Sequence, residues 1–237
     1  MKNNSTSQVS NARPWYLSLT AKWVEAEGFS DLKQILVDYM KRFPPPSHHV
    51  LVPEPSWHST VFAILKINDK PIDVDSESKY ATTLFEHLLT TTDLVDNIRQ
   101  VFRPLQMTAQ ELKFFNDGTT VQFKSNEQLR GFRDSVRPLF ESPVEALIND
   151  SVGGASNSPF LECLLRHKYK SCGAKFYGSV ARSPSSQDKS SPRRTVRLPG
   201  TTLTFRRIHL LVSDDALTNP LCPGKNDFFI DPVDEEN

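Results

Sequence analysis

Cysteine is scarce in this chain. Only Cys163, Cys172 and Cys222 occur, with no CxxC spacing and without the even number that a framework of pairs needs. That argues against a disulfide-stapled scaffold and a structural zinc site, and it fits a reducing compartment. Long apolar runs are missing too: no stretch approaches the roughly 18 residues that a membrane span requires. The first residues, Met1 to Gln8, are polar and lack the apolar core of a signal peptide, so a cytoplasmic location is expected. Charge of one sign is not in excess either. Lys plus Arg and Asp plus Glu stand at 28 each, which predicts no general nucleic-acid-coating surface but leaves room for a local basic patch.

What is present is enough to build a core. The 237 residues, 38% of them hydrophobic, suit one domain or one domain made of two similar halves. Residues 1–12 lack periodicity and are expected as a disordered tail. A single domain then spans 13–220, with a mobile loop near 183–196 rich in Ser, Pro and charge, and 221–237 form a C-terminal tail.

Within the domain, Trp15 to Trp23 alternates as a first strand. Ser30 caps a helix in which Leu32, Ile35, Leu36, Tyr39, Met40 and Phe43 recur at spacings of three and four, and Pro44-Pro45-Pro46 stops it. A strand runs from His58 to about Ile67, followed by a polar connection over 68–78. Tyr80 to Phe102 reads as helix, broken at Thr90-Thr91-Thr92, with Asp93 placed to cap the second piece. Leu105–Phe115 and Thr119–Lys124 read as a hairpin around Asn116-Asp117-Gly118, where Asn and Gly supply positive φ. Asn126 to Phe140 is a helix with Leu129, Phe132, Val136 and Leu139 on one face; Pro143 to Asn149 can add a further turn, and Asn149 to Ser158 reads as a loop. Pro159 to His167 fits a helix or a strand. Ala174 to Arg182 is a strand, Thr201 to Ser213 one long strand, and the residues after it carry little pattern. Together these predict an α+β protein whose helices cover an antiparallel sheet.

One stretch looks chemical. In Trp57-His58-Ser59-Thr60-Val61 the alternation of a strand puts His58 and Thr60 on one face and Ser59 and Val61 on the other. An imidazole can take or give a proton near neutral pH, and a hydroxyl two residues on can hydrogen-bond a phosphate or carbonyl oxygen. The same residues also suit a surface histidine at a strand start. His48 and His49 read as a solvated loop pair rather than a metal site. Arg193, Arg194, Arg197, Arg206 and Arg207 form the densest basic region, either a solvated face or an electrostatic guide for a nucleotide or RNA end. Tyr16 and Trp57 could stack a base or simply pack.

His58-Ser59-Thr60-Val61 behind Pro55 and Trp57, with this order of elements, resembles the two-histidine phosphoesterase superfamily, which includes 2'-5' RNA ligase-like proteins and cyclic nucleotide phosphodiesterases. The resemblance covers most of residues 13 to 220. Members carry two His-x-Thr/Ser-hydrophobic motifs, one in each half of an internally duplicated, two-lobed α+β fold, with antiparallel sheets flanked by helices around a central groove. It implies two histidines acting as acid and base across a phosphate, with no metal and no cofactor. The implied ligand is a nucleotide or RNA end bearing a 2',3'-cyclic phosphate or a 2'-5' linkage, and a monomer is expected. Two segments compete for the second motif. Tyr177-Gly178-Ser179-Val180-Ala181-Arg182 keeps the hydroxyl but has tyrosine for histidine, and His209-Leu210-Leu211-Val212 keeps a histidine without the hydroxyl. Element order favours the first, because Thr204 to Ser213 looks like the strand that follows the second motif. The site then comprises His58, Thr60, Tyr177 and Ser179 as catalytic residues and Tyr16, Trp57, Arg182 and Arg207 as substrate-binding residues. His209 remains the alternative second histidine.

Overall fold

The computed structural model describes residues 15–47, 49–67, 83–91, 93–154, 176–182, 192–214 and 227–233. The expected N-terminal tail, the 68–78 connection, the segment Pro159 to His167, most of the 183–196 loop and His48 lie outside these residues.

Two antiparallel sheets make up the body. The first holds β1 (Trp15–Lys22), β3 (His58–Ile67), β9 (Ile208–Asp214) and β10 (Asp227–Ile230), in the order β10-β9-β1-β3. The second holds β2 (Val50–Leu51), β4 (Leu105–Phe114), β5 (Gly118–Phe123), β6 (Phe176–Arg182) and β7 (Arg194–Arg197), in the order β2-β6-β5-β4-β7, while β8 (Thr202–Phe205) pairs with the start of β4. Four helices accompany them among the described residues: α1 (Phe29–Arg42), α2 (83–90), α3 (Leu94–Val101) and α4 (Glu127–Gly154). The α+β class with antiparallel sheets expected from the sequence is the class observed.

Alternation sets the faces. In β1, Leu17, Leu19 and Ala21 are fully buried in the core, and Ser18, Thr20 and Lys22 leave by the other face. The core continues into α4, where Phe140 stacks on Phe62 at 5.6 Å, and Phe132 meets Phe102 edge-on at 5.6 Å. Burial of each such side chain contributes roughly 1.5–3 kcal/mol, enough to fix which face of β3 looks inward.

Several local expectations are corrected. Helix α1 begins at Phe29 and is capped by Gly28 at φ 83 rather than by Ser30. A Cβ at Gly28 would stand 2.4 Å from the Thr202 carbonyl oxygen, so the approach to β8 selects glycine there. Asp93 does precede α3, but its φ of 64 is left-handed and its side chain makes no capping bond, since capping needs an extended backbone at that residue. In the β4–β5 hairpin neither Asn116 nor Gly118 has positive φ. Gly118 is needed for another reason: a Cβ on it would sit 2.7 Å from the Ala181 carbonyl oxygen of β6.

Longer-range differences matter more. Helix α4 runs on through Pro138 and Pro143 to Gly154, so 149–154 are helical and not loop; each proline removes one donor without ending the helix. The expected long strand over Thr201–Ser213 is two strands in different sheets. Between them Arg206 pairs with Glu27 at 2.5 Å, and Glu27 exchanges backbone bonds of 3.0 and 3.1 Å with Thr204. The stretch expected as a patternless tail supplies β10, which pairs with β9, and Arg194–Arg197 of the expected loop form β7 against β4.

Candidate functional site

The start of β3 is built before the strand begins. Pro53 leads into a single turn of 3-10 helix over Glu54–Ser56, and the Trp57 N–H closes on the Glu54 carbonyl at 3.0 Å. The Trp57 indole donates to the Val52 carbonyl at 2.9 Å and lies edge-on to Trp23 and Phe29, at 5.9 and 6.1 Å between ring centroids. Its own carbonyl accepts the Trp23 N–H at 2.9 Å. Trp57 is 5% exposed, so it anchors the motif from the core and is not presented to stack a base, contrary to the expectation above.

His58 then emerges half-buried. Its Nδ1 lies 2.8 Å from the Ser56 carbonyl oxygen. A carbonyl only accepts, so Nδ1 carries the proton and donates, which makes Nε2 the basic nitrogen of the neutral ring. Ser59 points inward, where its Oγ accepts the Trp23 indole N–H at 2.9 Å. Thr60 returns to the face of His58, and both are half-buried while Ser59 and Val61 are buried. The alternation read from the sequence is the one observed here.

Register explains how this face is held. Across β1, Lys22 pairs with His58 and Thr20 with Thr60, but the next pair is Leu19 with Phe62, so Val61 is a bulge. On the outer edge Arg133 of α4, 5% exposed, donates from Nε to the Val61 carbonyl at 2.7 Å and from Nη2 to the Thr60 carbonyl at 3.4 Å. A buried guanidinium thus serves the backbone of the motif.

The second segment comes very close to the first at Gly178. A Cβ on Gly178 would stand 2.3 Å from the His58 carbonyl oxygen and 2.3 Å from the Trp23 ring. Tyr177 and Ser179 flank that contact and leave by the opposite face of β6; Tyr177 is 58% exposed and Ser179 half-buried. Both hydroxyl-bearing residues lie on the stretch of β6 that adjoins His58, with their side chains on the face away from the Gly178 contact. Their cross-strand partners are Gln122 and Thr120, so this face of the second sheet is polar.

The alternative histidine has a different setting. His209 pairs through Thr20 with Thr60, which places it in the same sheet and on the same face as the first motif, two strands away, about 10 Å. It is 5% exposed, with Nδ1 2.6 Å from Asp227 and Nε2 2.9 Å from Glu25. Both ring nitrogens are engaged by carboxylates. Asp227 also accepts a bond from Lys22. Burial pushes the Asp227 carboxyl up, but the bonds from His209 and Lys22 outweigh it and hold the group below the ordinary carboxylate range.

The remaining expected residues are scattered. Arg207 forms a bidentate pair with Asp231, at 2.6 and 2.9 Å, and lies over the Phe229 ring at 4.4 Å. That bond raises the Arg207 pKa and lowers that of Asp231, so its charge is already matched. Tyr16 pairs with Ser213 and Lys66, six residues up β1 from Lys22 and so about 20 Å from the His58 end. Arg182 ends β6 opposite Gly118 and Val50. Three residues of interest were not foreseen. Lys22 follows Ser18 and Thr20 in the alternating pattern of β1, and Arg133 falls four residues after Leu129 and three before Val136, inside the apolar stripe of α4, so both were readable. Asp227 had no local signal.

Among the described residues no group of three or more His, Cys, Asp or Glu side chains is placed to hold a metal ion, and no helix is long and apolar enough to cross a membrane. No protein-family model and no curated protein matches the chain. Solved structures that resemble it include TT0787 of Thermus thermophilus, 12% identical, covering 92% of this chain and 94% of that one with a TM-score of 0.45. E. coli LigT complexed with 3'-AMP is 11% identical over 92% of this chain and 95% of that one with a TM-score of 0.43, and a phosphoesterase is 10% identical over 92% and 95% with a TM-score of 0.42. All three likenesses are distant.

Proposed function

We propose that this chain is a metal-independent phosphodiesterase or cyclic phosphodiesterase of the two-histidine kind, acting on a nucleotide or RNA terminus. The observation that carries the reading is the His58 ring, whose Nδ1 proton is committed to the Ser56 carbonyl at 2.8 Å. That bond orients Nε2 as a base on the face it shares with Thr60. In the proposed reaction Nε2 takes the proton of an attacking water, and Thr60 and Ser179 donate to phosphoryl oxygens as charge builds on them. Tyr177 stands for the second histidine. A phenol with pKa near 10 donates a hydrogen bond well and accepts a proton poorly at neutral pH, so it suits the leaving-group side.

The test is turnover of a 2',3'-cyclic nucleotide by the purified chain with a chelator present. Activity that falls by about 10²–10⁴-fold in His58→Ala supports the proposal; activity that survives the substitution defeats it. A second reading is favoured by the exposed Tyr177 itself: a nucleotide-end or RNA-end binding module without turnover. It expects binding that salt and Ser179→Ala both weaken, with no product formed.

A further inference from the structure

Beside His58 lies a row of charged and polar groups that the proposed reaction has not used. Lys22 is the register partner of His58, so the two side chains leave one face with their Cβ atoms about 5 Å apart. The ammonium of Lys22 is bonded to Asp227, whose other oxygen meets His209 Nδ1 at 2.6 Å, and Glu25 follows at 2.9 Å from His209 Nε2. The Lys22 and Asp227 side chains are each 22% exposed, so the pair is sheltered enough for its charges to be felt nearby. The lysine paired in register with His58 therefore comes with its own fixed anion.

That pairing matters because hydrolysis changes the charge of a phosphate. A cyclic phosphate or phosphodiester carries one negative charge. When water attacks, a P–O bond to the water oxygen forms, the P–O bond to the ribose oxygen breaks, the water proton passes to His58 and the ribose oxygen takes a proton from the Tyr177 phenol. The monoester formed has a second ionisation near pH 6 and is close to doubly charged above neutrality. Coulomb energy scales with that charge, so Lys22 alone would hold the product harder than the substrate. Asp227 cancels that preference.

We infer that Asp227 is a specificity-determining residue, which keeps the phosphate position beside His58 from holding the doubly charged monoester harder than the singly charged diester and so favours product release. The inference rests on the reading of His58 and Thr60 as a phosphate site. Both Asp227 and Glu25 neighbour His209, but Asp227 alone bonds Lys22, so position and bare charge can be separated.

The experiment compares two probes that differ by one charge at the same phosphorus: a 2'-deoxynucleoside 3'-phosphate and its methyl ester. Their dissociation constants are measured calorimetrically at pH 7.5 on the full chain. Asp227→Asn should tighten the monoester more than the ester and shift the ratio of the two constants by about three- to tenfold. Glu25→Gln should shift it less, and Lys22→Gln should shift it the other way. An unchanged ratio in a cooperatively unfolding Asp227→Asn protein overturns the inference, as does an equal shift in Glu25→Gln. Should Asp227→Asn fail to fold, Lys22→Gln decides, and an unchanged ratio there overturns it. If neither probe binds the wild-type chain, the phosphate-site reading itself falls; if the ester binds and the ratios do not move, only the role of Asp227 falls.

Discussion

Gly178 of β6 lies against His58 of β3, so close that a Cβ on it would stand 2.3 Å from the His58 carbonyl oxygen. Two motif segments 120 residues apart thus come into close approach at Gly178, and that approach ties the position of the His58 carbonyl to a residue with no side chain.

Gly178→Ala is accordingly expected to do double damage. The added methyl also meets the Trp23 ring at 2.3 Å, and overpacking of this kind costs about 1–3 kcal/mol. Urea unfolding should show that loss, and the His58 ring resonances should move in the same variant. Wild-type stability in Gly178→Ala would show that β6 is free to retreat from His58.

Arg133→Met should loosen the motif from the other side. It removes donors to the Val61 and Thr60 carbonyls, each a hydrogen bond from a charged group, for a cost of about 2–3 kcal/mol. Arg133→Lys should recover only part of it, because an ammonium lacks the planar fork. A stability equal to wild type in the Met variant would mean the bulge at Val61 holds without the guanidinium.

Asp231 supplies a pH-dependent term. Its carboxyl is held below the ordinary value chiefly by the Arg207 bond, so the folded state binds that proton less readily than the unfolded state. The contribution is therefore full above the unfolded pKa of about 3.9 and is lost as pH falls through the lower folded value. In urea unfolding, wild type should exceed Asp231→Asn at pH 6, and the gap should close at strongly acid pH. A gap that widens on acidification would contradict this sign.

Tyr177→His asks whether the second motif lacks only its imidazole. Tyr177 is 58% exposed, so the substitution should leave the fold intact. On the proposed chemistry, turnover of a cyclic phosphate at neutral pH should rise at least about tenfold, since a positioned general acid or base is worth about 10²–10⁴. A variant that binds the substrate and gains nothing would count against Tyr177 as the stand-in.

Local pattern made much of this legible. The faces of β1 and β3, the apolar stripes of α1 and α4, the break before α3 and the two strands of the β4–β5 hairpin follow from patterns that act within a few positions of one another, although the hairpin turn does not use the positive φ expected of Asn116 and Gly118. The pairing of His58 with Thr60 on one face has the same origin. Even Lys22 and Arg133 carried a readable sign, one in an alternating strand and the other inside an apolar stripe.

The sequence by itself determined which residues share a strand face, and so placed His58 beside Thr60, because alternation is a property of the local backbone. Only the tertiary structure decided that Thr201–Ser213 divides at Arg206 between two sheets and that Asp227 arrives from a late strand to hold Lys22 and His209. It likewise decided that Gly178 meets His58. Those outcomes depend on which carbonyl, carboxylate or ring stands across the gap, and no periodicity records a partner that far along the chain.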